Sequence, residues 1–197
     1  MSFLNSILLK TSSVKKIGVT FVASHFILLI MMVYTFPVIN SQIGTKAFDL
    51  QNLGYSLSTA ELIISKLNNE TTNLYLFPQL TLLDVFYPFL LALFLSSFLF
   101  RLIKITNSST RITFPLLLLP FLAMVFDYSE NICIILMITK SVEISKSFVL
   151  LSSTLTILKS LLTTFSWIAI LIYAMMWIRI KILNRKAKTP MGKTQST

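Results

Sequence analysis

The sequence predicts an all-α integral membrane protein: a four-helix transmembrane bundle, both termini cytoplasmic, with a short amphipathic helix in the first outer loop. Three observations carry that expectation. Of the 197 residues, 55% are hydrophobic and 12% charged, roughly half the charged share of an ordinary soluble domain. Mean hydropathy is +0.80, more apolar surface than one soluble core of this size can hide. Four apolar runs each reach the roughly 20 residues that a membrane-spanning helix needs. The net charge of +10 is gathered between and beyond those runs, as membrane topology requires.

The first run, about 17–38, reads IGVTFVASHFILLIMMVYTFPV. It follows a basic tail, 1–16, but is longer than a signal-peptide core, so it is read as a retained helix. His25 lies within it.

The loop after it, about 39–78, contains GYSLSTAELIISKLNNE. Ser58 and Glu61 have capping-box spacing, and Ala60, Ile63, Ile64 and Leu67 share a helical face. A helix over about 58–69 is expected, with Asn68 and Asn69 at its end. It either packs on the bundle or forms a lid over an outward-facing cavity.

The second run, about 79–103, carries Asp84, Tyr87 and Pro88. The third, about 112–138, carries the stretch FDYSEN with Asp127, Glu130 and Asn131 at helical i, i+3 and i+4 spacing, hence on one face. The fourth, about 148–180, carries Thr156, Lys159, Thr163 and Ser166 as a matching stripe. It exceeds a bilayer's thickness, so it tilts or emerges. The bundle thus occupies 17–183, and a basic tail, 184–197, follows.

Twelve of the 17 Lys and Arg lie in the N-terminal tail, the connection between the second and third runs, and the C-terminal region. The positive-inside rule puts those segments in the cytoplasm. Asp49, Glu61, Glu70 and Glu143 fall on the other side.

Ionisable groups within a bilayer are costly and normally face the bundle interior and pair. At about 1.5 Å per residue, Asp84, Glu130, Asp127 and Lys159 lie roughly 8, 12, 16 and 16 Å below the outer surface. Lys159 is therefore the expected counter-charge of the third-span acids, with Asp84 nearer the surface. Three carboxylates against one Lys leave excess negative charge. At least one proton, a cation, a water cluster or a cationic ligand must complete the balance.

Nucleic-acid binding is excluded by the lack of a soluble basic domain or aromatic–basic repeats. The single Cys133 rules out an internal disulfide, and the hydrolase, zincin and di-iron signatures are missing. No metal or cofactor is assigned. The expected partners are the bilayer and an unidentified small ligand or ion.

The segments FDLQNLGYSLSTAELIISKL, LYLFPQLTLLDVFYPFL, LLPFLAMVFDYSENICIILM and TLTILKSLL resemble a family of small bacterial four-span membrane proteins. The resemblance covers about 49–163. It singles out Tyr55, Asp84, Asp127, Glu130, Asn131, Thr156 and Lys159 as one unit and implies a bacterial cytoplasmic membrane. It implies no reaction. Four-span sterol-isomerase-like proteins are a more distant analogy, in span count and buried acids only.

The leading expectation is a cavity around the acidic cluster that binds or passes a small ligand, ion or proton. One alternative is an accessory protein whose cluster only pins helix packing. Another is an intramembrane lipid-modifying enzyme using Asp127 or Glu130 as acid or base. His25, Tyr55 and Tyr87 are weaker site candidates.

Overall fold

The computed structural model describes residues 2–108 and 113–188; Arg111 and the end of the basic tail lie outside them. Those residues are helical, with no strand among them. The N-terminal tail is itself a helix, α1 (Ser2–Thr11). The first long helix, α2 (Val14–Ile43), starts at an N-cap, Ser13, whose hydroxyl accepts from the Lys16 N–H. It passes through a wider π turn at Met31–Thr35 just before Pro37. Such a turn relieves the backbone ahead of a residue that offers no N–H. Gly44 closes the helix with φ +70°, a left-handed cap that glycine adopts without strain.

The amphipathic helix of the first loop, α3 (Leu57–Lys66), lies where expected, but its cap differs. Ser56, not Ser58, accepts the Thr59 N–H at 3.2 Å. The serine nearest the extended segment takes the cap, and Ser58 bonds the Ser56 hydroxyl instead. Asn68 likewise does not end α3. Its side chain caps the next helix by accepting from the Thr71 N–H at 2.8 Å.

That next helix, α4 (Asn69–Thr106), begins about ten residues before its apolar run. The polar turn NETTN is therefore helix, and the first loop shortens to 44–68. Phe77 breaks α4 with extended dihedrals (φ −143°, ψ 124°) before Pro78. Then follow α5 (Thr113–Ile138) and α6 (Lys146–Lys188). The helices α2, α4, α5 and α6 are the four long and apolar enough to cross a membrane.

Helix α4 is the hub, packed on α2, α5 and α6, while α5 and α6 pair closely with each other. Side chains bury in two apolar clusters at opposite ends. One joins Phe36, Ile39, Phe48, Ile63, Leu80 and Ile134 under the first loop. The other joins Leu8, Leu95, Leu99, Leu117 and Ile170. Leu8 brings α1 into this second cluster, where Thr11 also hydrogen-bonds Ser97 at 2.6 Å. The N-terminal tail is thus docked, because its apolar face has a partner.

Outside the bundle, α2 shows Val19, Val22, Phe26, Leu29 and Val33. This unbroken apolar stripe suits lipid contact and would be a liability in water. Asp84 on α4, Asp127 and Glu130 on α5 and Lys159 on α6 fall between the residues that their helices give to the two clusters.

Candidate functional site

The polar layer begins with Lys159 on α6. Its ammonium lies 2.6 Å from Asp127 Oδ1 and 2.6 Å from Glu130 Oε2, both on α5. Glu130 is fully buried, and its other oxygen accepts from the Thr156 hydroxyl at 2.7 Å. Helical spacing produces this fit: Asp127 and Glu130 project from one face of α5, and Thr156 and Lys159 from one face of α6. The expected ion pair is therefore present, and Lys159 meets both acids at once. Asn131, next along α5, is buried, and neither of its amide atoms has a partner among the described residues.

A second group of acids stands across from this one. Asp84 is 4% exposed and accepts from Gln79 Nε2 at 3.4 Å. Gln79 in turn accepts from Thr35 on α2, so a polar relay joins α2 to Asp84. Asp49 and Asp84 line the same hollow, close enough for their charges to act on one another. Two carboxylates at that range repel unless a proton or a cation stands between them. Tyr75 donates to Asp49 Oδ2 at 2.6 Å, while Asp49 Oδ1 is buried with no partner.

Asp49 is the residue that sequence reasoning missed. It was read as a loop acid on the water side. The turn at Phe48–Leu50 folds inward instead, held by the Phe48 N–H bond to the Tyr75 hydroxyl at 3.0 Å. The signal that could have found it is FDL, an acid flanked by two large apolar residues.

Between the two groups lies a cavity of about 430 Å³. Asp49, Asp84, Asp127 and Lys159 line its polar end, with Tyr87 and Ser160 beside them. Lys159 is the one cationic residue on its wall among the described residues. Glu130, Asn131 and Thr156 do not line it and sit behind the α5–α6 seam. Tyr87 is thus brought to the site.

Tyr55 is placed above the site, where its hydroxyl donates to Ser152 Oγ at 2.6 Å and its N–H to Ser153 Oγ at 2.8 Å. Burial pushes its phenol well above the ordinary value, so it stays a neutral donor. Gly54 permits this seat: its φ is +85°, and a Cβ there would stand 2.5 Å from Ser153 Oγ. His25 is not brought in. Its ring bonds the Phe21 carbonyl at 2.9 Å, lies tilted on the Phe21 ring and meets Phe94 edge-on. It is a packing residue of α2.

Among the described residues, no group of three or more His, Cys, Asp or Glu is placed to hold a metal ion. What the arrangement offers is hydrogen-bond acceptance and negative charge at one end of an otherwise apolar hollow. No family model, curated protein or solved structure matches the chain.

Proposed function

We propose that this chain is a four-span protein of a bacterial cytoplasmic membrane, both termini inside, whose cavity binds or passes a small ligand, ion or proton. One observation carries the reading. Lys159 is engaged at close range by Asp127 and Glu130, whereas Asp49 and Asp84 line open volume and, among the described residues, form no ion pair of their own, the Lys159 charge reaching them only from a distance. A layer built only to hold helices together has no need of a second, unbalanced acid pair beside a hollow. The resemblance to small bacterial four-span proteins supports treating the polar residues as one unit.

The structural reading keeps a share of the layer. Glu130, Thr156, Asp127 and Lys159 satisfy one another across the α5–α6 seam, as a register pin between α5 and α6 should. The lid is expected of the helix at about 58–69, but no residue of α3 lines the cavity; from the first loop Asp49, Leu50 and Asn52 do.

A thermal-stabilisation screen of small molecules in lipid nanodiscs tests the cavity. Hits should stabilise the wild type and lose their effect in Ala123→Phe, which fills the hollow from α5. Hits that act equally on both would sink the reading. For the sidedness, a single Cys in place of Lys66 should label from outside intact cells; protection there reverses the topology.

A further inference from the structure

The cavity has a direction. Its acids lie at the first-loop end, beside Phe36, and away from them the wall is Leu28, Leu91, Leu95 and Pro120, with the hydroxyls of Thr163 and Thr164 as its polar exceptions. From Asp84 to Leu95 is eleven residues of helix, roughly 16 Å. The volume of about 430 Å³ is room for about a dozen non-hydrogen atoms at a water-like 30 Å³ each. An elongated shape with one polar end and one apolar body matches an amphiphile. A bare ion would leave the apolar length without contacts.

The cavity also has a side entrance. Helix α2 packs chiefly on α4. Its wall residue Met32 is 49% exposed, and Thr164 on α6, also on the wall, is exposed. At the loop end, Asn52 is both exposed and part of the lining. The hollow is therefore a cleft between α2 and α6, open along the flank that the apolar surface assigns to lipid and reaching the loop surface at its top.

Resting on the proposed ligand cavity, we infer that the cleft is a site for an amphiphilic amine entering from the bilayer, its ammonium seated between Asp49 and Asp84. The charge decides the head group. Asp49 Oδ1 is buried and unpartnered, and Lys159 already has two acids at 2.6 Å. An alkylammonium brings one positive charge and three donors, which serve Asp49 Oδ1, Asp84 and a hydroxyl such as Ser160. A carboxylate head would add a third negative group to the pair. An alcohol would supply one donor and no charge.

The test is a matched probe series in phosphatidylcholine nanodiscs: decylamine, decanol, decanoate and propylamine. Decylamine should raise the wild-type melting temperature by several degrees at concentrations where the other three do little. Asp84→Asn and, independently, Asp49→Asn should lose most of that rise; Asp49 sits in the loop, so its variant remains informative should Asp84→Asn fold poorly. If decanol matches decylamine, or decanoate exceeds it, the amine assignment falls while the cavity reading stands. If decylamine acts equally on wild type and both variants, it is partitioning into lipid and the assignment falls. If none of the four shifts the wild type, the amine assignment falls, and the cavity reading is decided by the wider screen against Ala123→Phe.

Discussion

On the α5–α6 side of the polar layer, Lys159, Asp127, Glu130 and Thr156 answer one another at 2.6–2.7 Å, behind the cavity wall or at its edge. On the α4–loop side, Asp49 and Asp84 stand together with a phenol and an amide for company and open volume in front. The two halves have the same chemical ingredients and sit in one layer. They differ in whether a counter-charge is built in. Where it is, the acids tie α5 to α6; where it is withheld, they face open volume.

The largest effect that can break this comparison is Lys159→Met. It strips the counter-charge from two buried carboxyls at once, and uncompensated buried charge of this kind costs about 3–5 kcal/mol. Melting in nanodiscs should fall steeply. Adding Asp127→Asn should recover part of the loss and not all, since Glu130 stays unpaired. A single variant that melts like wild type would remove the holding role from that half.

Next comes Gly54→Ala. The methyl group would meet Ser153 Oγ at 2.5 Å in a left-handed conformation, a cost of about 1–3 kcal/mol. The loop should lift from α6, and hydrogen exchange at the Tyr55 amide, which now bonds Ser153, should rise sharply. Unchanged protection would show that the loop is held elsewhere.

The smallest effect is expected at Asp49→Asn. The amide keeps an acceptor for Tyr75 and removes like-charge crowding against Asp84, so melting should move by less than about 1 kcal/mol in either direction. A loss as large as that of Lys159→Met would make the two halves equivalent and erase the distinction.

Much of this was legible in the chain. The i, i+3 spacing of Asp127 and Glu130 and the matched depth of Lys159 named the charge-matched half before any coordinates, because helix geometry fixes both face and height. The α4–loop half was only half legible. Asp84 announces itself inside an apolar run, but Asp49 gains its place through the fold of a loop, and no periodicity governs that. The early start of α4 was hidden for a similar reason: NETTN is polar, and hydropathy marks where lipid contact begins, not where a helix does. The Ser56 cap was missed because three adjacent residues could serve, and only backbone dihedrals choose among them.

The π turn in α2 reaches further than its own five residues. One extra residue in a turn rotates everything after it by roughly 100° about the helix axis. Thr35, at the end of that turn, meets Gln79 because of this rotation, and Gln79 is the donor to Asp84. Were the same residues wound as regular α-helix, the threonine would stand roughly 100° away and Asp84 would have one donor less securely held. The angular phase of α2 thus sets how an acid on its neighbour is dressed, and the wide turn is what lets the helix carry one more residue while keeping that phase.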